Sequence, residues 1–381
     1  MLLTDKNNHK LLLFLVFAWA ITQGAATPLI GLSLQHNHPL GPAILTGLYF
    51  LGAVLFFPFP QMLMKKYSIY FLAKIAVFLG LFCLVPMGFS LSIYSLAVCR
   101  VIQGISSTLL LVSVETELLT TSSSANRAGA LGNLEICLVV GGGTGAAMAP
   151  LAWSINPLLA GVIPAIPALV ALISPFPLIT QTTDSSIKSD SSGMKLSSTV
   201  FFLIMTAMAQ GLVEGVLMAF LTPWLLSNDW NETSISAAFT SLFAGIIFSQ
   251  LFLSRFAGQH RHNLILVLCH LGVAFGFFSL TCPQEVHIIF LALFLIGLGI
   301  GCQYPVAQAG LAETVSPQQI PLAASIFLAS NGLGCLVSSP SGGFIQSYFG
   351  TVFLYNSVGI FCLALVLAGL VNCWITRKKT S

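Results

Sequence analysis

The chain has 381 residues, of which 56% are hydrophobic and 7% are charged. A soluble domain carries about 25% charged residues, so this composition excludes a soluble globular protein. The apolar residues form continuous blocks of roughly 20 residues, the length of a helix that crosses ~30 Å of hydrocarbon, and they lack the alternation that a membrane β-barrel needs. We therefore expect an all-α polytopic membrane protein.

Twelve apolar blocks predict twelve transmembrane helices. A Ser/Thr-rich segment, TQTTDSSIKSDSSGMK, separates the sixth block from the seventh and has the composition of a linker. The sequence thus predicts an N-terminal six-helix bundle at residues 1–179, a cytoplasmic linker at 180–197 and a C-terminal six-helix bundle at 198–381. In chain order the blocks cover residues 11–34, 42–63, 70–90, 93–119, 129–152, 157–178, 198–226, 234–254, 263–281, 287–312, 321–346 and 352–375.

The distribution of Lys and Arg predicts the orientation of the helices. If the N-terminus is cytoplasmic, every Lys and Arg except Arg100 lies at an inner end or loop, whereas outer loops such as HNHPLG and SNDWNET contain none. This asymmetry is what the positive-inside rule requires. We expect an integral protein of the plasma membrane or bacterial inner membrane, with both termini cytoplasmic.

Short matches between the halves indicate an internal repeat. QMLMKKY at 61–67 and QLFLSRF at 250–256 lie 189 residues apart, and Gln-Gly recurs at residues 23–24 and 210–211. With the central linker, these matches favour two pseudo-symmetric six-helix bundles. Parallel repeats of this kind are typical of transporters whose halves rock around a central site.

Two motifs carry a family resemblance. The fourth block contains RVIQG at residues 100–104, and NRAGALG at 126–132 leads into the fifth block. The first motif matches the Arg-x-x-Gln-Gly motif of the fourth helix in the major facilitator superfamily (MFS). Over nearly its whole length the chain resembles MFS transporters, and among them the proton-coupled drug and metabolite antiporters. The resemblance implies the MFS fold, a central cavity and alternating access.

The chain departs from the family pattern in two places. After the second block, QMLMKKYSIY has Gln61 where the family has Gly and Lys65 where it has Asp. In the fifth block, GGGTGAAMAP has Ala146 where the antiporter signature has Pro. The inner charge network of the family is therefore altered here, while the small residues still indicate close helix packing.

Three ionisable residues inside the blocks are candidates for proton coupling. An ionisable side chain near a helix centre costs about 2.5–3.5 kcal/mol on insertion, so such a residue usually faces a cavity. Glu214 lies in the middle of the seventh block and Glu135 near the inner end of the fifth. The resemblance implies that Arg100 faces the central cavity and acts in proton coupling or anion contact. The structural alternatives are an interhelical hydrogen bond for Glu214, an ion pair for Glu135 and carbonyl contacts for Arg100.

Charged residues at the inner side predict a gate. Glu115 and Glu117 fall in the last turns of the fourth block, where the helix dipole disfavours anions. Lys65 and Lys66, in the loop after the second block, are the expected partners, and Glu313 is the expected counterpart in the second half. The alternative is that the glutamates reach water at the headgroups, where ion pairs contribute little.

Polar residues in the blocks are candidates for substrate binding. Some share a helical face: Trp19, Gln23 and Thr27 recur every four residues, while Gln103 and Ser107 lie on the face of Arg100. For all of them the alternative is core packing or interhelical hydrogen bonding. The complete predicted set is Trp19, Gln23, Thr27, Gln103, Ser107, Gln210, Gln303 and Asn331.

The predicted function is secondary active transport of a small organic solute by alternating access, driven by protons and directed outward, as in drug, metabolite or siderophore-like efflux. No P-loop motif indicates ATP chemistry, and no His-Glu-x-x-His or Gly-x-Ser-x-Gly motif indicates an enzyme. The expected partners are the solute, protons and the bilayer, for a monomer without nucleic acid, cofactor or metal. The alternatives are an importer or facilitator of a small anionic metabolite, and a non-transporting sensor or lipid-handling protein.

Overall fold

The computed structural model describes residues 2–34, 40–64, 66–89, 92–121, 127–174, 197–253, 262–281, 285–315 and 319–380, and every regular element in these ranges is helical. The α-helices are α1 Leu2–Leu34, α2 Gly41–Phe56, α3 Phe59–Met64, α4 Ile69–Met87, α5 Ile93–Thr121, α6 Arg127–Ile155, α7 Pro157–Val162, α8 Ile166–Ile173, α9 Ser198–Ser227, α10 Glu232–Phe248, α11 His262–Thr281, α12 Val286–Thr314, α13 Ile320–Phe349 and α14 Thr351–Thr380.

Helices occupy all twelve predicted spans, which confirms the predicted fold class. Nine of the described helices are long and apolar enough to cross a membrane. The second and sixth spans differ from expectation because each is broken. α2 and α3 are separated at Pro58, and a 3-10 turn at Ile163–Ala165 joins α7 to α8. Proline explains both breaks, since it lacks an N–H and clashes with the preceding turn.

The described helices form two compact units. Unit 1 comprises residues Met1–Ser185 and Leu221–Thr240, and unit 2 comprises Ser186–Phe220 and Ser241–Ser381. Most of the predicted linker, 180–197, lies outside the described residues, so the predicted domain boundaries stay a prediction. Apolar side chains fill the interior of each unit, with α1, α4, α5 and α6 enclosing the main cluster in unit 1.

Glycines at two helix crossings, one in each unit, indicate that the two units are structural repeats of each other. In unit 1 a Cβ added to Gly24 of α1 would overlap the Gly142 carbonyl of α6, and in unit 2 a Cβ on Gly211 of α9 would overlap the Asn331 carbonyl of α13. The offset is 187 residues from Gly24 to Gly211 and 189 residues from Gly142 to Asn331. The two crossings are therefore built at equivalent positions.

At a second pair of crossings, both helices of unit 1 are related to those of unit 2 by the same sequence offset. Gly104 of α5 meets the Tyr49 carbonyl of α2, and Gly297 of α12 meets the Leu242 carbonyl of α10, 193 residues further on in both helices. The sequence match past the end of α2 has an offset of 189. Between these points the helix breaks at Pro58 in unit 1, and α10 passes into a π-helical turn in unit 2. The offset falls by four, from 193 to 189, so unit 1 has four more residues than unit 2 between the crossing and the match.

The offset of 193 also relates α4 to α11. The Ser106 hydroxyl donates to the Ala76 carbonyl at 2.7 Å. In unit 2 a Cβ on Gly299 would lie 2.6 Å from the Cys269 carbonyl, at the equivalent positions. Residues related by these offsets are called repeat partners below: 187 for α1 and α9, 189 for α6 and α13, and 193 for the helix pairs α2 and α10, α4 and α11, and α5 and α12.

Candidate substrate and proton sites

Arg100 lies inside unit 1, with 2% of its surface exposed. Its Nε donates to the Leu45 carbonyl at 3.4 Å and its Nη1 donates to Gln103 Oε1 at 2.9 Å. The guanidinium carbon lies 4.5 Å from the centroid of the Tyr49 ring, within the range of a cation–π contact. All three partners are electrically neutral. Within the described part of the chain, no carboxylate forms an ion pair with this guanidinium.

The close crossing of α2 and α5 explains the position of Arg100. A Cβ on Gly52 would overlap the Val101 carbonyl, and a Cβ on Gly104 would overlap the Tyr49 carbonyl, so each helix needs glycine where the other approaches. This approach brings the Tyr49 ring and the Leu45 carbonyl, both on α2, to the first turns of α5. The Arg-x-x-Gln-Gly motif thus contains both Arg100 and Gly104, the glycine that lets α2 approach α5. The two residues lie within one and a half turns of α5.

Two glutamines of unit 1 have buried amide atoms without a hydrogen-bond partner among the described residues. Gln103 uses Oε1 for Arg100, but its Nε2 has none, and Gln23 has none at either amide atom. Gln23 Nε2 lies 3.3 Å from where a Cβ of Gly80 would be, so Gly80 gives it room. Buried polar groups normally have partners. These amides are therefore candidates for hydrogen bonds to a solute.

The structure explains Trp19 by packing. Its indole N–H donates to Ser106 Oγ at 2.8 Å, and its ring is 4% exposed within the main apolar cluster. The single polar hydrogen of the side chain is thus already used. Thr27 and Ser107 are buried with 8% and 7% exposure, and Glu135 is half-buried on α6.

In unit 2, Glu214 lies on α9 and is half-buried. Its neighbour Gly215 packs against Cys335 and Ser338 of α13, so the acid is carried by a helix in tight contact with α13. Gln210, one turn earlier, has a buried Oε1 without a partner in the described structure. The repeat partners of Gln210 and Glu214 are Gln23 and Thr27. The glutamine thus recurs in both units, and the acid stands only in unit 2.

A buried histidine of unit 2 was missed by the sequence analysis. His270 on α11 is fully buried, and it lies between Thr206 Oγ1, 3.3 Å from its Nε2, and Gln303 Nε2, 3.1 Å from its Nδ1. Gln303 had been predicted to contact substrate, and the structure shows it bonded to this imidazole. The available signal was a titratable residue in the middle of an apolar block.

Four of the predicted gate residues lie among the described residues: Lys66, Glu115, Glu117 and Glu313. Lys65 falls outside the described residues, and Lys66 is exposed with Nζ 5.4 Å from the ring centroid of Tyr67. Glu115 and Glu117 are half-buried near the end of α5. The predicted pairing of these charges stays a prediction.

Two further predicted residues have described contacts. Glu313 Oε2 lies 3.7 Å from His262 Nδ1, which links the C-terminal end of α12 to the N-terminal end of α11. Asn331 Nδ2 donates to the Ala207 carbonyl at 3.4 Å. Asn331 therefore forms an interhelical hydrogen bond between α13 and α9.

Comparison with known proteins supports the fold and the general activity. Residues 199–381 match the model of the Major Facilitator Superfamily. The uncharacterized MFS-type transporter YfkF of Bacillus subtilis is 23% identical over 397 residues, covering 97% of each protein. The 4-hydroxybenzoate transporter PcaK of Pseudomonas aeruginosa is 30% identical over 161 residues, covering 40% of this chain and 32% of that protein.

Solved structures show the same fold. The human organic anion transporter MFSD10 (TETRAN) has a TM-score of 0.65 and 12% identity, covering 96% of this chain and 99% of that one. A point mutant of a peptide transporter, POT, has a TM-score of 0.74 and 11% identity, covering 98% of this chain and 94% of that one. With its twelve helical spans, its repeat-related crossings, these structural likenesses and a second half that matches the MFS model, this chain has the MFS fold.

Proposed function

We propose that this protein moves a small organic anion across the membrane by alternating access, using a proton gradient as its energy source. The observation that carries the proposal is Arg100, a buried guanidinium whose described partners are all neutral. A buried charge without a counter-charge costs several kcal/mol. A carboxylate on the solute offsets that cost, since Arg binds carboxylates through two parallel hydrogen bonds.

The surroundings of Arg100 favour an aromatic or otherwise flat acid. The Tyr49 ring provides an apolar face next to the cation, and Gln103 provides a buried amide N–H without a described partner. Two similar proteins are named for substrates of this chemistry, 4-hydroxybenzoate in one case and organic anions in the other. These names support the substrate class proposed here.

Glu214 is the proposed proton carrier, and Glu135 is the second candidate. Glu214 stands where its repeat partner is Thr27, so the repeat does not require an acid at this position. It lies on a membrane-spanning helix, where an acid is costly unless it binds a proton or faces water. The main proposed proton carrier, Glu214, thus lies in unit 2, and the proposed anion-binding residue, Arg100, lies in unit 1.

Export stays the proposed direction, and import of a small anionic metabolite is the second candidate function, since an anion-binding Arg100 serves transport in either direction. The antiporter-like glycines do not separate the two directions. A Cβ on Gly145 would overlap the Ile21 carbonyl, so packing of α6 on α1 already accounts for this glycine. The proposed inner gate, Glu115 and Glu117 with Lys65 and Lys66, serves either direction.

The test is transport by purified protein in liposomes, with 4-hydroxybenzoate as the probe. We expect accumulation that follows an imposed pH gradient and stops when an ionophore collapses it. The side to which the gradient must be applied separates export from import.

Arg100→Leu introduces the residue of its repeat partner, Leu293, and we expect at least a tenfold loss of kcat/KM, about 1.4 kcal/mol. Glu214→Gln is expected to lose pH-driven accumulation while it keeps solute exchange. Transport of neutral aromatic amides as fast as carboxylates, or an unchanged Arg100→Leu variant, would refute the anion proposal.

A further inference from the structure

Three polar side chains from three helices meet inside unit 2: Thr206 on α9, His270 on α11 and Gln303 on α12. Each is at most 1% exposed. The imidazole touches both of the others, through Nε2 to Thr206 and through Nδ1 to Gln303. The Phe202 ring packs edge-on against it, with the ring centroids 6.4 Å apart. A titratable ring is thus enclosed by two neutral hydrogen-bonding groups and an aromatic wall.

The hydrogen bonds fix where the protons lie. The Thr206 hydroxyl donates its hydrogen to the Phe202 carbonyl at 3.0 Å, so Thr206 Oγ1 has only lone pairs left for His270. His270 Nε2 must therefore carry a hydrogen. Nδ1 faces the amide nitrogen of Gln303, which has only hydrogens to offer, so Nδ1 is the acceptor. The ring in this arrangement is neutral, and Nδ1 is where it takes up a further proton.

Gln303 is poised for that proton. Its Oε1 is buried without a hydrogen-bond partner among the described residues. Such an acceptor is unfavourable, because it has lost its hydrogen bonds to water and gained none in return. A half-turn of the amide brings Oε1 to Nδ1, where a protonated ring supplies the missing donor. The charged imidazole then has an acceptor on each side, Thr206 Oγ1 and Gln303 Oε1.

The other half of the chain shows that packing does not require these polar groups. The repeat partners of Thr206, His270 and Gln303 are Trp19, Val77 and Leu110, which are buried in the apolar cluster of unit 1. Their one polar hydrogen, on the Trp19 indole, is bonded to Ser106. The same helix arrangement is thus built from hydrocarbon in unit 1 and from a hydrogen-bonded imidazole in unit 2.

We propose that Thr206, His270 and Gln303 form a second proton-binding site, in which His270 Nδ1 takes up the proton and the Gln303 amide turns to hold it. The proposal rests on the proposed function, proton-driven transport, and adds one proton per transported solute to the proton on Glu214. Each turnover therefore moves one more positive charge than Glu214 alone would carry.

Other titratable groups lie on the helices that form or adjoin this site. Those closest along the chain are the neighbouring thiols of Cys269 and Cys302, which are hydrogen-bonded to each other. The remaining described ones on α9, α11, α12, α13 and α14 are Glu214, His262, His287, Tyr304, Glu313, Cys335, Tyr348, Tyr355, Cys362 and Cys373. Measurements of the site must therefore identify the imidazole itself.

The first experiment follows the ring directly. Full-length protein with isotope-labelled histidine is placed in nanodiscs, and nitrogen NMR spectra are recorded from about pH 8 to about pH 3, a range that covers both exposed and desolvated imidazoles. His270→Val, which introduces the residue of its repeat partner, identifies the signal among the 7 histidines by its disappearance. We expect Nδ1 to change from unprotonated to protonated in this range. A ring that keeps one neutral tautomer throughout would overturn the proposal.

The second experiment counts charge. In liposomes, the membrane potential that just stops transport gives the number of charges moved per solute. We expect His270→Val to move one charge fewer than wild type and to keep solute exchange within about twofold. Gln303→Leu, the matched variant with the residue of Leu110, is expected to weaken proton binding at Nδ1 about tenfold.

The two proposals fail in different ways. An unchanged ratio of charge to solute in His270→Val would refute the second proton site and leave transport by Arg100 and Glu214 intact. Wild-type protein without pH-driven transport would refute the proposed function, and the NMR titration would still decide whether His270 binds a proton.

Discussion

At the scale of single residues, Arg100 shows how unit 1 holds a buried charge without an opposite charge in contact. A carbonyl, an amide and an aromatic ring share the guanidinium, and each is a weaker partner than a carboxylate. The repeat partners of Arg100 and Tyr49 are Leu293 and Leu242, both buried. Hydrocarbon at these positions is therefore compatible with the fold, which supports a functional reason for the cation.

The Tyr49 ring is predicted to support anion binding by holding Arg100. Tyr49→Leu removes the cation–π contact, and we expect a weakening of solute affinity by about threefold to tenfold, equivalent to ~1 kcal/mol. Tyr49→Phe keeps the ring face and is the matched control. Binding constants from tryptophan fluorescence or calorimetry provide the measurement, and equal losses in both variants would contradict a role of the ring face.

Gln23 is predicted to lower the stability of the protein while it supports transport. Both of its amide atoms are buried without a described partner, so Gln23→Met removes an unfavourable burial and is expected to stabilise the protein by about 1 kcal/mol. The same change removes groups available to the solute, and transport should fall. Thermal unfolding and liposome uptake on one preparation check both effects. A variant that is less stable than wild type would indicate that Gln23 is structural.

At the scale of helices, each unit has two crossings at which a glycine lets the helices pack closely. A crossing at which one backbone touches the other leaves no space for a Cβ, and polar or charged side chains beside it are held at fixed positions. Arg100 lies beside the crossing of α2 and α5, and Glu214 lies beside that of α9 and α13. Arg100 and Glu214 are therefore carried by helices that pack closely against a neighbouring helix.

Gly104→Ala is predicted to destabilise the protein by about 1–3 kcal/mol, because the added Cβ overlaps the Tyr49 carbonyl and forces α2 away from α5. Gly297→Ala at the repeat-related crossing should have a similar effect. Gly132→Ala is the control, since a Cβ there meets nothing within 4 Å. Thermal unfolding in one detergent distinguishes the three. Equal stability of all three variants would refute the packing argument.

At the scale of the whole molecule, the two units share one plan of helix crossings and differ in their polar groups. Unit 1 contains the buried cation, and unit 2 contains the buried imidazole and the acid of α9. A duplicated fold supplies two frameworks, and substitutions at repeat-related positions then give each half its own chemistry. This division agrees with the proposed transport, in which the anion and the protons have separate binding groups.

Orientation of the chain is the remaining prediction. An epitope inserted after Asp229, in the turn between α9 and α10, is expected to be accessible to antibody on intact cells. An epitope after Asp184 in the predicted linker, or at the C-terminus, should be detected only after the membrane is permeabilised. The opposite result would reverse the orientation inferred from Lys and Arg.

The sequence by itself determined the membrane class, the twelve spans and the candidate residues Arg100 and Glu214. These features follow from composition, block length and the cost of charge in hydrocarbon, which are local properties of the chain. It also indicated the repeat through Gln23-Gly24 and Gln210-Gly211.

Tertiary structure alone decided which polar residues meet. The sequence could not show that Trp19 is bonded to Ser106, that Gln303 is bonded to His270, or that Arg100 lies over the Tyr49 ring. These contacts join helices that are far apart in the chain, and the relative rotation of packed helices sets them. Hydropathy carries no information on that rotation, because it records how apolar a helix is and not which neighbour each face meets.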